Sequence, residues 1–152
     1  KVYISIGSNI GNKEENIKNS IDKLKEFKEI KVTKIASIIE TEPWGYEEQD
    51  SFKNTAIEIR TFFNPKELMT ILLNIEKEMK RERIIKWGPR IIDLDIIFFD
   101  DYVTSDEYVT IPHPRMEERE FVLEPLNEIA PNFIHPLNKK RVFRMLEELR
   151  NK

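Results

Sequence analysis

The feature that most constrains this chain is the way its hydrophobic period switches between that of a strand and that of a helix. Val2 to Ile6 alternate apolar and polar residues. From Asn12 onward, Ile17, Ile21, Leu24 and Phe27 recur three and four apart, with Asn12 placed to cap the helix. Ile30 to Thr41 is rich in β-branched residues, and Phe52 to Thr61 resumes alternation after the polar stretch Glu42 to Asp50. A second helical stripe, Leu68, Ile71, Leu72, Ile75 and Met79, follows Asn64-Pro65 and runs to about Lys80. In Asp93-Leu94-Asp95-Ile96-Ile97-Phe98-Phe99 both faces become apolar, which reads as a central strand covered on both sides. Strand, helix, two strands, helix, strand is the order of an α+β, ferredoxin-like fold: a mainly antiparallel sheet with helices packed on it.

Elements are added at the C-terminal end. Tyr102 to Ile111 has the look of a short hairpin, Arg119 to Ile129 is expected to be partly helical despite Pro125, and Val142 to Leu149 closes as a helix. Gly7 to Asn12 breaks the first strand as a loop, and Arg81 to Arg90, with Trp87-Gly88-Pro89, reads as a charged loop. No repeat, low-complexity tract or linker interrupts the 152 residues, so residues 1–152 are expected to form a single domain with one core.

Composition narrows the chemistry. There is no cysteine and there are only two histidines, which excludes disulfides, thiolate metal sites and multi-histidine clusters. The net charge of −3 disfavours a general nucleic-acid surface. No segment approaches the roughly 20 apolar residues of a membrane-spanning helix, so a cytoplasmic location is the default expectation.

Asp93 and Asp95 are two apart on a strand, so their carboxylates share one face, roughly 7 Å apart along the chain. Taken alone, such a pair is more often a solvated strand end, since D-x-D is common. Beside a buried apolar run, the pair is costly unless neutralised, and a hard cation such as Mg²⁺ with substrate phosphates in its shell suits it. The segment just before it changes the balance: Lys77 to Arg90 holds six basic residues (Lys77, Lys80, Arg81, Arg83, Lys86, Arg90) against Glu78 and Glu82, an excess of +4. Guanidinium forks next to metal-holding carboxylates are the two halves of a polyphosphate site. Gly7-Ser8-Asn9-Ile10-Gly11-Asn12-Lys13 is not a Walker loop, because Glu14 follows Lys13. His113 stands between Pro112 and Pro114, which hold it extended and fix its direction.

Several ordered blocks make the chain resemble the 6-hydroxymethyl-7,8-dihydropterin pyrophosphokinases of folate biosynthesis. They are Ile4 to Asn9 (ISIGSN), Thr41 to Gly45 (TEPWG), Phe52 to Ala56 (FKNTA), Glu76 with Arg81 and Arg83, Trp87 to Ile96 (WGPRIIDLDI), Ile111 to Pro114 (IPHP), and Arg119 to Pro131. The WGPR-x-x-D-L-D block is the most specific, and the likeness covers nearly the whole sequence. It implies an ATP-dependent diphosphotransferase in which two Mg²⁺ ions are bound by Asp93 and Asp95, with Arg81, Arg90 and Asp95 in catalytic positions. It implies ATP contacts from Glu76, Arg83, Lys86, His113 and Arg119. For the pterin it implies a sandwich between Phe52 and Phe121, a polar anchor at Asn54, loop contacts at Thr41, Pro43, Trp44 and Gly45, and closure by Trp87. Lys80 stands where the family usually has glycine, and Lys86 replaces a frequent arginine and lacks its bidentate reach.

The reaction implied is in-line attack of the pterin hydroxyl on the β-phosphorus, with AMP leaving and positioning supplying most of the catalysis. The partners expected are the two small-molecule substrates, with no nucleic acid, membrane or protein. Two rival readings remain at this stage: a two-metal phosphotransferase for another alcohol, and a ferredoxin-like ligand- or RNA-binding module. The second is disfavoured by the acidity and by the lack of an aromatic RNA-binding strand motif.

Overall fold

The computed structural model describes residues 1–41, 51–83 and 91–152, with side chains throughout these except at residues 80–83. The elements run β1 (Val2–Ser8), α1 (Lys13–Lys25), β2 (Ile30–Ile35), β3 (Ile39–Thr41), β4 (Phe52–Thr61), α2 (Pro65–Arg83), β5 (Asp93–Phe99), β6 (Thr104–Ser105), β7 (Thr110–Ile111), α3 (Glu120–Ile129) and α4 (Val142–Arg150). Strands β2, β4, β1 and β5 lie side by side in that order, all antiparallel, with β3 also paired to β4. The ferredoxin-like architecture expected from the alternating periods is the one found.

Local chemistry sets the helix ends. The Asn12 side chain accepts from the Glu15 amide at 3.2 Å, as expected of a cap. Asn64 and Glu67 bond reciprocally at 2.8 and 2.9 Å, a capping box that starts α2 at Pro65.

Several expectations need correction. Gly7 and Ser8 belong to β1, so the loop begins only at Asn9. Ile30 to Thr41 is two strands, because the Ser37 amide and hydroxyl each bond the Glu128 carboxylate of α3 at 2.8 Å and pull the chain out of register between them. Helix α2 includes residues 81–83, the start of what reads as a loop; no glycine or proline interrupts the sequence from Lys66 to Arg83. Arg119 to Ile129 is helical from Glu120 without interruption, Pro125 included.

The run Asp93–Phe99 is covered on both faces but is not central: it ends the strand order, next to β1 alone. Its outer edge is satisfied by other means. The Leu94 amide donates to Glu76 Oε2 at 2.8 Å, and the Ile97 carbonyl accepts from the His113 amide at 3.0 Å. Opposite Tyr3 and Ile4 the register slips, from Phe98 to Ile96, so Ile97 is an inserted residue. This bulge reverses the alternation and explains the apolar character of both faces. Leu94 and Ile96 join the core under α1 and α2, whereas Ile97 and Phe98 join a second core under α3 and α4.

The core is therefore double rather than single. Ile4, Ile6, Ile57 and Ile59 meet Ile17, Leu24, Leu68 and Leu72 on one face of the sheet. On the other, Tyr3 and Ala56 meet Val122, Leu123, Leu126, Met145 and Leu146. Within this second layer Glu58, 3% exposed, accepts from Tyr3 Oη and Thr33 Oγ1, both at 2.7 Å. Burial alone would raise its pKa, but these two hydrogen bonds, with Lys1 and Lys34 nearby, bring it below the usual glutamate value. Helices α3 and α4 pack on this face around Tyr3, and α3 also reaches β3; the Gly7 end of β1 carries the polar residues described next.

Candidate active site

Directly opposed residues of adjacent strands project to the same face. Gly7 opposes Asn54 on one side and Asp93 on the other, and Asn54 opposes Ile39. Ser5 opposes both Ala56 and Asp95, and Thr41 opposes Phe52. Asp93, Asp95, Asn54, Phe52 and Thr41, which are far apart in sequence, thus share the face that also carries α3 and α4.

Side-chain contacts tie this surface together. Asn54, 3% exposed, donates from Nδ2 to Thr41 Oγ1 at 3.0 Å. Its Oδ1 lies over Gly7, where an added Cβ would sit only 2.6 Å away. Only glycine therefore fits between Asn54 and Asp93. His113 reaches the same place from beyond the sheet edge, with Nε2 3.8 Å from Asp95 Oδ1. Its Nδ1 is 3.0 Å from the Pro114 carbonyl, and Nε2 is the nitrogen turned toward Asp95.

Arg119 caps α3 with an extended backbone, and its guanidinium lies 5.9 Å from the centre of the Phe121 ring. Phe121 packs at the margin of the α3/α4 core, and Phe52 is half-buried at the start of β4. Glu76 is buried and receives the Leu94 amide, between the two aspartates. It thereby fixes the strand that spaces them.

Asp93 and Asp95 are each partly exposed. Among the described residues no group of three Asp, Glu, His or Cys side chains forms a complete metal cage. Two hard carboxylates that leave the remaining positions to substrate oxygens fit Mg²⁺, which keeps few protein ligands and completes its shell with phosphates and water.

The structure thus brings together Thr41, Phe52, Asn54, Asp93, Asp95 and His113, with Arg119 and Phe121 paired on α3 and Glu76 behind the strand. Pro43, Trp44, Gly45, Lys86, Trp87 and Arg90 lie outside the described residues, as do the side chains of Arg81 and Arg83. Sequence reading missed Gly7, which it placed in a loop; the signal available was the strand period of β1, which continues through Ser8.

The 7,8-dihydro-6-hydroxymethylpterin-pyrophosphokinase family model matches residues 3–131. The chain belongs to this family. As such it is an ATP-dependent pyrophosphokinase that transfers pyrophosphate to 6-hydroxymethyl-7,8-dihydropterin in folate biosynthesis. Pyrophosphokinases of that name from Aquifex aeolicus and Bacillus subtilis are 42% and 47% identical to it. The alignments cover 91% and 84% of this chain and 86% and 77% of those proteins. A folic acid synthesis protein of Schizosaccharomyces pombe is 41% identical over 97% of this chain, which spans 20% of that longer protein. A crystal structure of Plasmodium falciparum HPPK-DHPS carrying A437G, with pteroate, superposes with a TM-score of 0.75 at 17% identity. It covers 97% of this chain and 42% of the other, and at that identity it speaks to the fold alone. Among the described residues no helix is long and apolar enough to cross a membrane.

Proposed function

We propose that the polar end of the sheet face, from Asp95 across Gly7 and Asn54 to Phe52, is the reaction site, and that residues 1–152 act as one catalytic unit. The observation that supports this most is the register that sets Asp93, Gly7 and Asn54 side by side with Asp95 and His113 within reach. Asp93 and Asp95 would hold two Mg²⁺ ions together with the triphosphate oxygens. When bound, these ions neutralise the charge that develops on the transferred group.

The protein's own part is positioning. Phe52 and Phe121 sandwich the pterin, and Thr41 and Asn54, already bonded to one another, read its polar edge. Pro43, Trp44 and Gly45 complete that subsite by family resemblance. Arg119 and His113 hold the nucleotide next to it, and Glu76 acts through β5 by keeping the aspartates in register. Arg81, Arg83, Lys86 and Arg90 spread positive charge along the triphosphate, and Trp87 excludes water so that the pterin hydroxyl rather than solvent attacks the β-phosphorus. We place the reaction in the cytoplasm, where ATP is made available.

The test is Asp95→Asn. The amide keeps the shape but not the charge, so the variant should fold as the wild type does while turnover at saturating substrates and Mg²⁺ falls by about a hundredfold or more. Near-wild-type turnover in this variant would move the metal site off β5.

A further inference from the structure

One side chain beside this face has no role in the site so far described. Asn9 is 1% exposed, and neither Oδ1 nor Nδ2 has a hydrogen-bond partner. A buried amide with both halves unpaired is rare in a folded protein, and such groups mark a missing partner.

Its place follows from its neighbours. Ser8 Oγ accepts from Asn16 Nδ2 of α1 at 3.3 Å, and Ile10 packs on the core beneath α1 and α2. Residues 8 and 10 therefore turn toward those helices, Gly7 faces the opposite side beside Asn54 and Asp93, and Asn9 lies between Ser8 and Ile10 just past the end of β1. The β1–β4 register runs Gly7 to Asn54 and Ser8 to Lys53. The pairing ends there: Asn9 is the next residue past it on one chain segment and Phe52, whose partner in β3 is Thr41, the next on the other.

We propose that Asn9 is a specificity residue for the pterin: its amide supplies one donor and one acceptor to the polar edge of the ring stacked at Phe52. An amide presents a donor and an acceptor side by side, and so does the amino-pyrimidinone edge of a pterin. With the nucleotide held at His113 and Arg119 as proposed above, the contact is private to the acceptor substrate. A buried polar group left unpaired by the wrong ligand discriminates strongly against it. The inference rests on the placement of the pterin at Phe52 and Phe121 proposed above.

Calorimetry with 6-hydroxymethylpterin, and separately with an ATP analogue and Mg²⁺, should be run on wild type, Asn9→Leu, Asn9→Asp and Phe121→Ala, alongside melting of each without ligand. Asn9→Leu should raise the pterin Kd at least tenfold and leave the nucleotide Kd within about twofold. Its melting temperature without ligand should not fall, because an unpaired amide contributes nothing to the fold. If Asn9→Leu does not fold, Asn9→Asp, which keeps the size and loses the donor, must show the same selective loss. An unchanged pterin Kd while Phe121→Ala loses binding would overturn the role of Asn9 and leave the site standing. Equal loss of both ligands with a lower melting temperature would make Asn9 structural and overturn it as well. Failure of Phe121→Ala to weaken pterin binding would remove the site and this inference together.

Discussion

Replacing Gly7 by alanine tests the geometry of the site at its tightest point. The new Cβ would sit 2.6 Å from Asn54 Oδ1, well inside van der Waals contact. Asn54 has little freedom to retreat, since it is 3% exposed and its Nδ2 is held by Thr41 at 3.0 Å. If it rotates away, a buried amide loses its partner at a cost of about 1–3 kcal/mol. If it stays, the overpacking costs a similar amount. A loss of about 2–3 kcal/mol corresponds to a fall in melting temperature of roughly 4–12 °C for a chain of this size. The double-mutant cycle with Asn54→Ala isolates the cause. With the amide gone the clash disappears, and Gly7→Ala should be neutral or stabilising by up to about 1 kcal/mol through the unfolded state. Differential scanning calorimetry on the four proteins, with pterin affinity measured in parallel, gives the coupling energy. Equal effects of Gly7→Ala in both backgrounds would refute the claim that Asn54 is what excludes a side chain there.

Two further outcomes follow from buried carboxylates. Glu58 has a pKa lowered in the folded state, so its contribution to stability is present above the usual glutamate value of 4.5 and is lost as pH falls through the lower, folded value. Tyr3→Phe removes one of its two donors, and urea titrations should show about 1–3 kcal/mol lost at pH 7, with a smaller further loss on acidification than in the wild type; an unchanged acid limb would mean that Glu58 is not the group concerned. Glu76→Ala should leave the Leu94 amide without its acceptor and lower both stability and turnover, whereas Glu76→Gln keeps an acceptor oxygen and should preserve the fold; equal destabilisation by both variants in thermal melts would count against the hydrogen bond as its structural role.

Local information was legible where one element decides its own structure. The bounds of β4, the cap at Asn12 and the start of α2 at Pro65 follow from alternation, from a side chain that accepts an end amide, and from a proline where no donor is needed. What sequence could not convey was set by partners distant in the chain. Glu128 on α3 breaks Ile30 to Thr41 in two, and the bulge at Ile97 gives β5 two apolar faces although it lies at the sheet edge. Asp93 and Asp95 were readable as a pair from their spacing alone. Their meeting with Asn54 depends on two strand registers, and the approach of His113 depends on its amide bonding to Ile97. The stacking of Arg119 on Phe121 likewise crosses a helix start that spacing alone does not orient.

Pyrophosphate transfer requires that the β-phosphorus of ATP, not its γ-phosphorus, meet the pterin hydroxyl. Phosphorus NMR of a reaction containing the protein, ATP, Mg²⁺ and 6-hydroxymethyl-7,8-dihydropterin measures this directly. AMP and a pterin diphosphate should appear in equal amounts, at a rate that collapses in Asp95→Asn. ADP with a pterin monophosphate would contradict it.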